Sequence, residues 1–317
     1  MNVEIVQPMK LSPVYKDMIW GGSGLREYLH KPIPSEHTGE SWEVSAHPSG
    51  QSRIAGGPCQ GMTLGEAVSR LGADLVGTEV WKRYGNKFPL LIKFIDAHDK
   101  LSVQVHPNDE QARRLEGAGE SGKTEMWYVL HAQPGAKLVY GFKREIAEDE
   151  LEDSIASGTI ESLLNWVDVK AGDTFFIPAG TLHAIGAGIL IAEIQQSSDT
   201  TYRVYDYNRL GLDGKPRQLH VEKALQVVNR ASSLGEERSD IDAGVCCPFF
   251  ETKRVRFRGE EAMAVPRERF EILICLEGSG TANDVEFGIG DVILLPAAMG
   301  TCLTKGEGML LKTHVAL

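Results

Sequence analysis

Short apolar or alternating runs recur at residues 90–95, 102–106, 126–130, 138–140, 174–177 and 189–194, each bounded by Gly, Pro or Asp. Runs of this length and bordering predict strands, and their number predicts a sandwich or barrel. Helical patterns interrupt them. Thr63 and Glu66 have the Ser/Thr-x-x-Glu spacing of a capping box, which predicts a helix start. Residues 108–116 are polar and helix-prone, 145–167 read as two short acidic helices, and 220–229 as another. The polar stretch 231–240 breaks the pattern and marks the main boundary. Two domains are therefore expected, 1–235 and 236–317, the first with helical insertions at about 62–76, 145–169 and 220–229.

The pattern also repeats. Gly172-Asp-Thr-Phe-Phe-Ile-Pro178-Ala-Gly180 is matched by Gly290-Asp-Val-Ile-Leu-Leu-Pro296-Ala-Ala298. Upstream, Thr124-Glu125-Met-Trp-Tyr-Val-Leu130 is matched by Phe270-Glu271-Ile-Leu-Ile-Cys-Leu276. The first copy is longer between its two motifs, where helices are expected. The expected fold class is mainly β with helical insertions, built from two copies of one β unit.

Composition narrows the function. The 317 residues include 33 Lys and Arg against 44 Asp and Glu, a net charge of −11. That balance points away from nucleic acid and anionic membranes, so an anionic ligand would need a local cluster of Lys and Arg. The start of the chain has no basic stretch followed by an apolar run, so no signal peptide is expected. No apolar run approaches the length of a spanning helix. The five cysteines, without a CxxC, fit a reduced cytoplasmic protein, and the adjacent Cys246 and Cys247 read as buried packing.

Candidate chemistry gathers in the first copy. In a strand ending at Gln104-Val-His106, residues Gln104 and His106 share a face. Glu125 opens the following run. The Gly172-x5-Pro178-x-Gly180-x2-His183 segment makes a turn through Asp173 and its glycines, then delivers His183 at the start of a strand. A lone strand histidine is usually a surface or internally satisfied residue. Two imidazoles, a carboxylate and an amide oxygen on adjacent strands form an N2O2 set that suits zinc with an open position, although the set does not by itself exclude iron. The second copy serves as a control. Glu271 matches Glu125, but Thr301 stands where His183 would, and no His occurs between 248 and 270. Function is therefore expected in the first unit.

The Gly-x5-Pro-x-Gly-x2-His pattern resembles the second signature of the cupin superfamily, a small jelly-roll barrel. Further motifs resemble the type I mannose-6-phosphate isomerases in their short bacterial form. They are Ile19-Trp-Gly-Gly, Gly39-Glu-Ser-Trp-Glu-Val-Ser45, Phe88-Pro-Leu-Leu-Ile-Lys-Phe-Ile-Asp-Ala97, Leu101-Ser-Val-Gln-Val-His-Pro-Asn-Asp109, Gly122-Lys-Thr-Glu-Met-Trp-Tyr128 and Thr201-Tyr-Arg-Val-Tyr-Asp-Tyr-Asn-Arg209. The likeness covers residues 11–230, and the remainder resembles only a degenerate cupin lacking the metal site. The long forms' extra helical domain has no counterpart here, which should leave one side of the cleft more open.

The resemblance implies one zinc ion per chain on Gln104, His106, Glu125 and His183, and a small-molecule sugar phosphate as partner. It also implies basic groups near the substrate, at Lys93, Lys123 and Arg203. Arg203 is the expected catalytic cation, for the enediolate of an aldose–ketose interconversion or for the phosphate. Lys93, Lys123 and Ser102 are expected to bind substrate. Glu43, His98, Asp206 and a zinc-bound hydroxide remain open as the base. Other classes also remain: a different metal-dependent cupin enzyme such as an oxygenase, or a non-catalytic sugar-binding cupin that keeps zinc for structure.

Overall fold

A computed structural model describes residues 6–235 and 237–317. Residues 1–5, where the reading of the chain start begins, and Glu236, at the expected domain boundary, lie outside them. The described chain is mainly β, with short helices on its outside.

Two antiparallel sheets form the sandwich that carries the predicted site residues. One has six strands in the order Thr174–Ile177, Glu125–Ala132, Ile189–Gln196, Leu90–Ala97, Thr38–Val44, Val14–Asp17. The other has five, in the order Leu164–Asp168, Lys137–Phe142, His183–Ile185, Val103–Val105, Tyr202–Tyr205. A third sheet of eight strands gathers the C-terminal strands, and Met9–Ser12 joins it by pairing with Val292–Leu295.

The central strands Leu90–Ala97 and Ile189–Gln196 are buried at every position. Alternation explains how they serve two cores. Ile92, Phe94, Met126, Tyr128, Ala192 and Ile194 face one apolar cluster, which continues into Phe270, Ile272, Leu294 and Leu311. Ile95, Ala97, Trp127, Val129, Ile189 and Ile191 face the other, with Leu138 and Ile185 of the five-stranded sheet. That sheet's outer face carries Val103, Val105, Ala184 and Val204 against the added helices. Beside Leu138 and Ile185, its inner positions carry Gln104, His183 and Arg203.

The predicted strands and helices occur, with differences at their borders. The capping box forms as expected, with Thr63 and Glu66 closing the start of Leu64–Leu71. Helix Ala73–Val76 completes that insertion, and Thr78–Tyr84 extends it past its expected end. The segment read as helical over 145–169 holds one helix, Glu148–Ala156, and a single 3-10 turn, Ile160–Ser162. Its last part is instead the edge strand Leu164–Asp168, because Leu164 and Val167 are buried against Lys137–Phe142. The last insertion is a single short helix, Val221–Leu225. Cys246 is exposed, so only Cys247 of that pair is buried, and all five cysteines are free.

The repeated motifs pair alike. Glu125 lies opposite Ile177, and Glu271 lies opposite Leu295, the same positions in each copy. Their surroundings differ. The buried Glu271 is met by His314 Nδ1 at 3.1 Å, Lys312 Nζ at 3.6 Å and Arg269 Nε at 3.7 Å. Removing one member of a buried charge cluster strands the others without solvent. Glu271→Ala should lower stability by about 3–5 kcal/mol, read from chemical denaturation. Bound metal per folded chain should stay unchanged in the same preparation.

Candidate metal centre

Gln104 and His183 are direct cross-strand neighbours in the five-stranded sheet, and Arg203 flanks Gln104 on its other side. The row His183, Gln104, Arg203 thus runs across three strands on the inner face. His106 follows the Val103–Val105 strand. Its carbonyl accepts a hydrogen bond at 2.9 Å from the amide of Gly180, whose positive φ of 89° favours glycine at that turn. This contact locks the His106 segment to the turn that delivers His183. Glu125 comes from the opposing sheet.

His106, Glu125 and His183 are buried, and one ligand atom from each lies within 4.8 Å of the others. Both imidazoles are oriented by main-chain carbonyls. His106 Nδ1 donates to Thr200 O at 2.9 Å, and His183 Nδ1 donates to Thr181 O at 2.8 Å. Each Nε2 therefore carries its lone pair inward. His183 Nε2 is 3.4 Å from Glu125 Oε1, and His106 Nε2 is 3.6 Å from Glu125 Oε2. Glu125 Oε1 has no hydrogen-bond donor. Lys123 Nζ reaches His106 Nε2 at 3.2 Å, while Glu125 Oε1 and His183 Nε2 face each other at 3.4 Å with no proton donated between them, so these residues fit a metal ion. Burial holds both histidines neutral: His183 is pushed down to about 4, and His106 falls well below its ordinary value. Gln104 completes the group, with its amide nitrogen 3.5 Å from His183 Nε2.

A cavity of about 300 Å³ opens beside these ligands. Its wall includes Lys93, Ser102, Gln104, Lys123 and Arg203. The eight residues expected to hold metal or substrate are thus in or beside one space. Lys93 is central in its sheet rather than at an edge, with its ammonium 3.3 Å from Glu40 and 3.8 Å from Glu193. Lys123 lies 2.9 Å from Glu125 and 3.9 Å from Glu193. Burial works against the Lys123 charge, but Glu125 and Glu193 outweigh it and hold the group above its ordinary value. Arg203 Nε donates to Ser102 Oγ at 3.2 Å, and its Nη1 donates to Gln218 O at 2.9 Å.

The three side chains considered as bases do not line this cavity. Glu43 is buried against Lys31 at 2.7 Å, and that ammonium lies over the ring of Phe94, in the other core. His98 is exposed, and Asp206 is held by Arg209 and Arg217. The carboxylates that do line it are Glu40, Glu193 and Asp199, none singled out from the sequence. Glu193 had a readable signal: it interrupts a fully apolar run directly across from Lys93. Its surroundings, burial first and then the charge of Glu125, raise its proton affinity. Arg217 and His220 also reach the wall from a loop, where no periodicity announces them.

Fold and site together define a cupin-type β protein with a buried His–Glu–His group that could hold a metal ion. The pattern of the phosphomannose isomerase type I catalytic domain matches residues 9–128. The mannose-6-phosphate isomerase ManA of Bacillus subtilis is 37% identical, over 98% of this chain and 99% of its own. The mannose-6-phosphate isomerase of Streptococcus mutans is also 37% identical, over 98% and 99%. The crystal structure of the mannose 6-phosphate isomerase from Bacillus subtilis superposes with a TM-score of 0.83 at 38% identity, covering 97% of this chain and 99% of that one. The chain belongs to the type I mannose-6-phosphate isomerase family, and is thus one of the aldose–ketose isomerases. Among the described residues, no helix is long and apolar enough to cross a membrane.

Two substitutions test the centre. His183→Ala should lose bound metal, measured by elemental analysis of folded protein. Thr301→Ala, at the position matching His183 in the second copy, should keep the full complement. A halved metal content in the second variant would mean that both copies bind.

Proposed function

We propose that the chain interconverts mannose 6-phosphate and fructose 6-phosphate, with one zinc ion held by Gln104, His106, Glu125 and His183. The observation that carries this reading is the pair of inward Nε2 lone pairs, set by Thr200 and Thr181, beside the fully buried Glu125. The near full-length likeness to isomerases of this name supports the substrate. Two neutral imidazoles, a carboxylate and an amide suit zinc with one position open. Turning the Gln104 amide over directs its oxygen to the same point. When bound, zinc supplies Lewis acidity for the negative charge that develops on the sugar oxygens.

The chain's own residues do the rest. Transfer of hydrogen between C1 and C2 through an enediolate needs a base at the cavity wall, which Glu43, His98 and Asp206 do not reach. Glu40, Glu193 and Asp199 are the carboxylates within it. Lys93 and Lys123 keep the buried carboxylates compensated and present their remaining N–H groups to substrate oxygens. Ser102 Oγ accepts from Arg203 Nε, leaving its own proton to donate to a sugar hydroxyl. Arg203 stands next to Gln104 across the sheet, where a fixed cation stabilises the enediolate. The chain divides at about 235/236 into this catalytic cupin unit and a second cupin unit without metal ligands.

A coupled assay of mannose 6-phosphate conversion, before and after chelation, tests the reading. Turnover should vanish on chelation and return with zinc. Fully zinc-loaded protein without turnover would refute it. Arg203→Ala should retain zinc but lose roughly a hundredfold to a thousandfold in kcat. Near-normal kinetics would remove Arg203 from the chemistry.

A further inference from the structure

The cavity is electrically lopsided. On the metal side its cations are balanced by carboxylates: Lys93 by Glu40 and Glu193, Lys123 by Glu125 and Glu193. At the opposite end the five-stranded sheet stops at the Tyr202–Tyr205 strand. Beyond it, residues 206–220 fold back, tied by Gly211 N to Lys215 O at 2.7 Å and by His220 N to Arg203 O at 2.8 Å. This segment brings Arg217 to the wall beside Arg203.

Arg217 is gripped along one edge. Its Nε and Nη2 donate to the two oxygens of Asp206, which also receives Arg209 Nη2 at 2.9 Å. Arg209 is in turn paired with Asp99 at 3.0 Å. Among the described residues, Arg217 Nη1 and Arg203 Nη2 have no bonded acceptor. Asp206, whose charge also acts on Arg203, is thus already divided between Arg217 and Arg209. Burial and the charge of Arg217 together push Arg203 below its ordinary value, as expected of two cations facing a common space. A planar guanidinium held on one edge offers the other to a phosphate with little left to order.

Across the sheet the order is His183, Gln104, Arg203, and Arg217 shares the cavity wall with Gln104 and Arg203. A sugar phosphate laid along this row has its reacting carbons at the ligands and its phosphate at the sheet edge.

We propose that Arg217 is the phosphate anchor of the cavity, that Asp206 is its positioning residue, and that the 206–220 segment selects phosphorylated over free sugars. This rests on the proposed sugar-phosphate reading, and the test separates the two. Arg217→Gln and Arg217→Lys are made in the metal-loaded full chain, and KM, kcat, metal content and calorimetric binding of inorganic phosphate are measured. In the Gln variant, KM for mannose 6-phosphate and the dissociation constant for inorganic phosphate should each rise at least tenfold. Its kcat should change less than threefold, with metal content intact. The Lys variant, a point charge in place of a fork, should recover part of the loss. Asp206→Asn should raise KM severalfold while leaving kcat. Unchanged KM and phosphate binding in a folded Gln variant would overturn the proposal. Should that variant not fold, unchanged values in the Lys variant would overturn it equally. Phosphate binding that falls in the Gln variant of a chain with no turnover would keep the anchor and refute the isomerase reading instead.

Discussion

A carboxylate with no access to water governs this structure. Glu125 is fully buried between two sheets, where an ionised group is tolerated only if its charge is answered nearby. Lys123 answers part of it at 2.9 Å. The two histidines cannot answer it, because their Nδ1–H groups donate to the Thr200 and Thr181 carbonyls and leave bare Nε2 nitrogens facing it. A metal ion among His106, Glu125 and His183 would complete the arrangement. The sandwich must hold two strands from one sheet opposite one from the other, which makes the site a property of the whole barrel rather than of any loop.

The six-stranded sheet bears this demand because it is buried on both faces. Alternate residues of Leu90–Ala97, Glu125–Ala132 and Ile189–Gln196 serve a wholly apolar core on one side. On the other side, apolar residues fill one end and Lys93, Glu125 and Glu193 the other. The apolar side extends to the C-terminal strands. The C-terminal strands thereby support the floor on which the charged residues stand, while touching none of the cavity wall.

The two repeated motifs show how the same backbone pairing can carry different chemistry. Glu125 and Glu271 occupy equivalent registers. Around Glu125 the neighbours are lone-pair donors and one lysine. Around Glu271 they are His314, Lys312 and Arg269, so the protein itself provides the positive charge. The two motifs share a register, and their side-chain neighbours differ.

Local pattern by itself determined the mainly β class, the strand positions, the capping box at Thr63 and the grouping of Gln104, His106, Glu125 and His183. Those features depend on period-two alternation, turn residues and motif order, all of which are local. It misread the end of the 145–169 segment, where burial of Leu164 and Val167 against a neighbouring strand overrode helical composition. It did not find Glu40, Glu193, Asp199 or Arg217, and it offered Glu43, His98 and Asp206 as bases although they lie elsewhere. Only the tertiary structure decided which carboxylates and which arginine meet the cavity. That choice depends on distances between residues far apart in the chain, and a one-dimensional pattern contains no such distances.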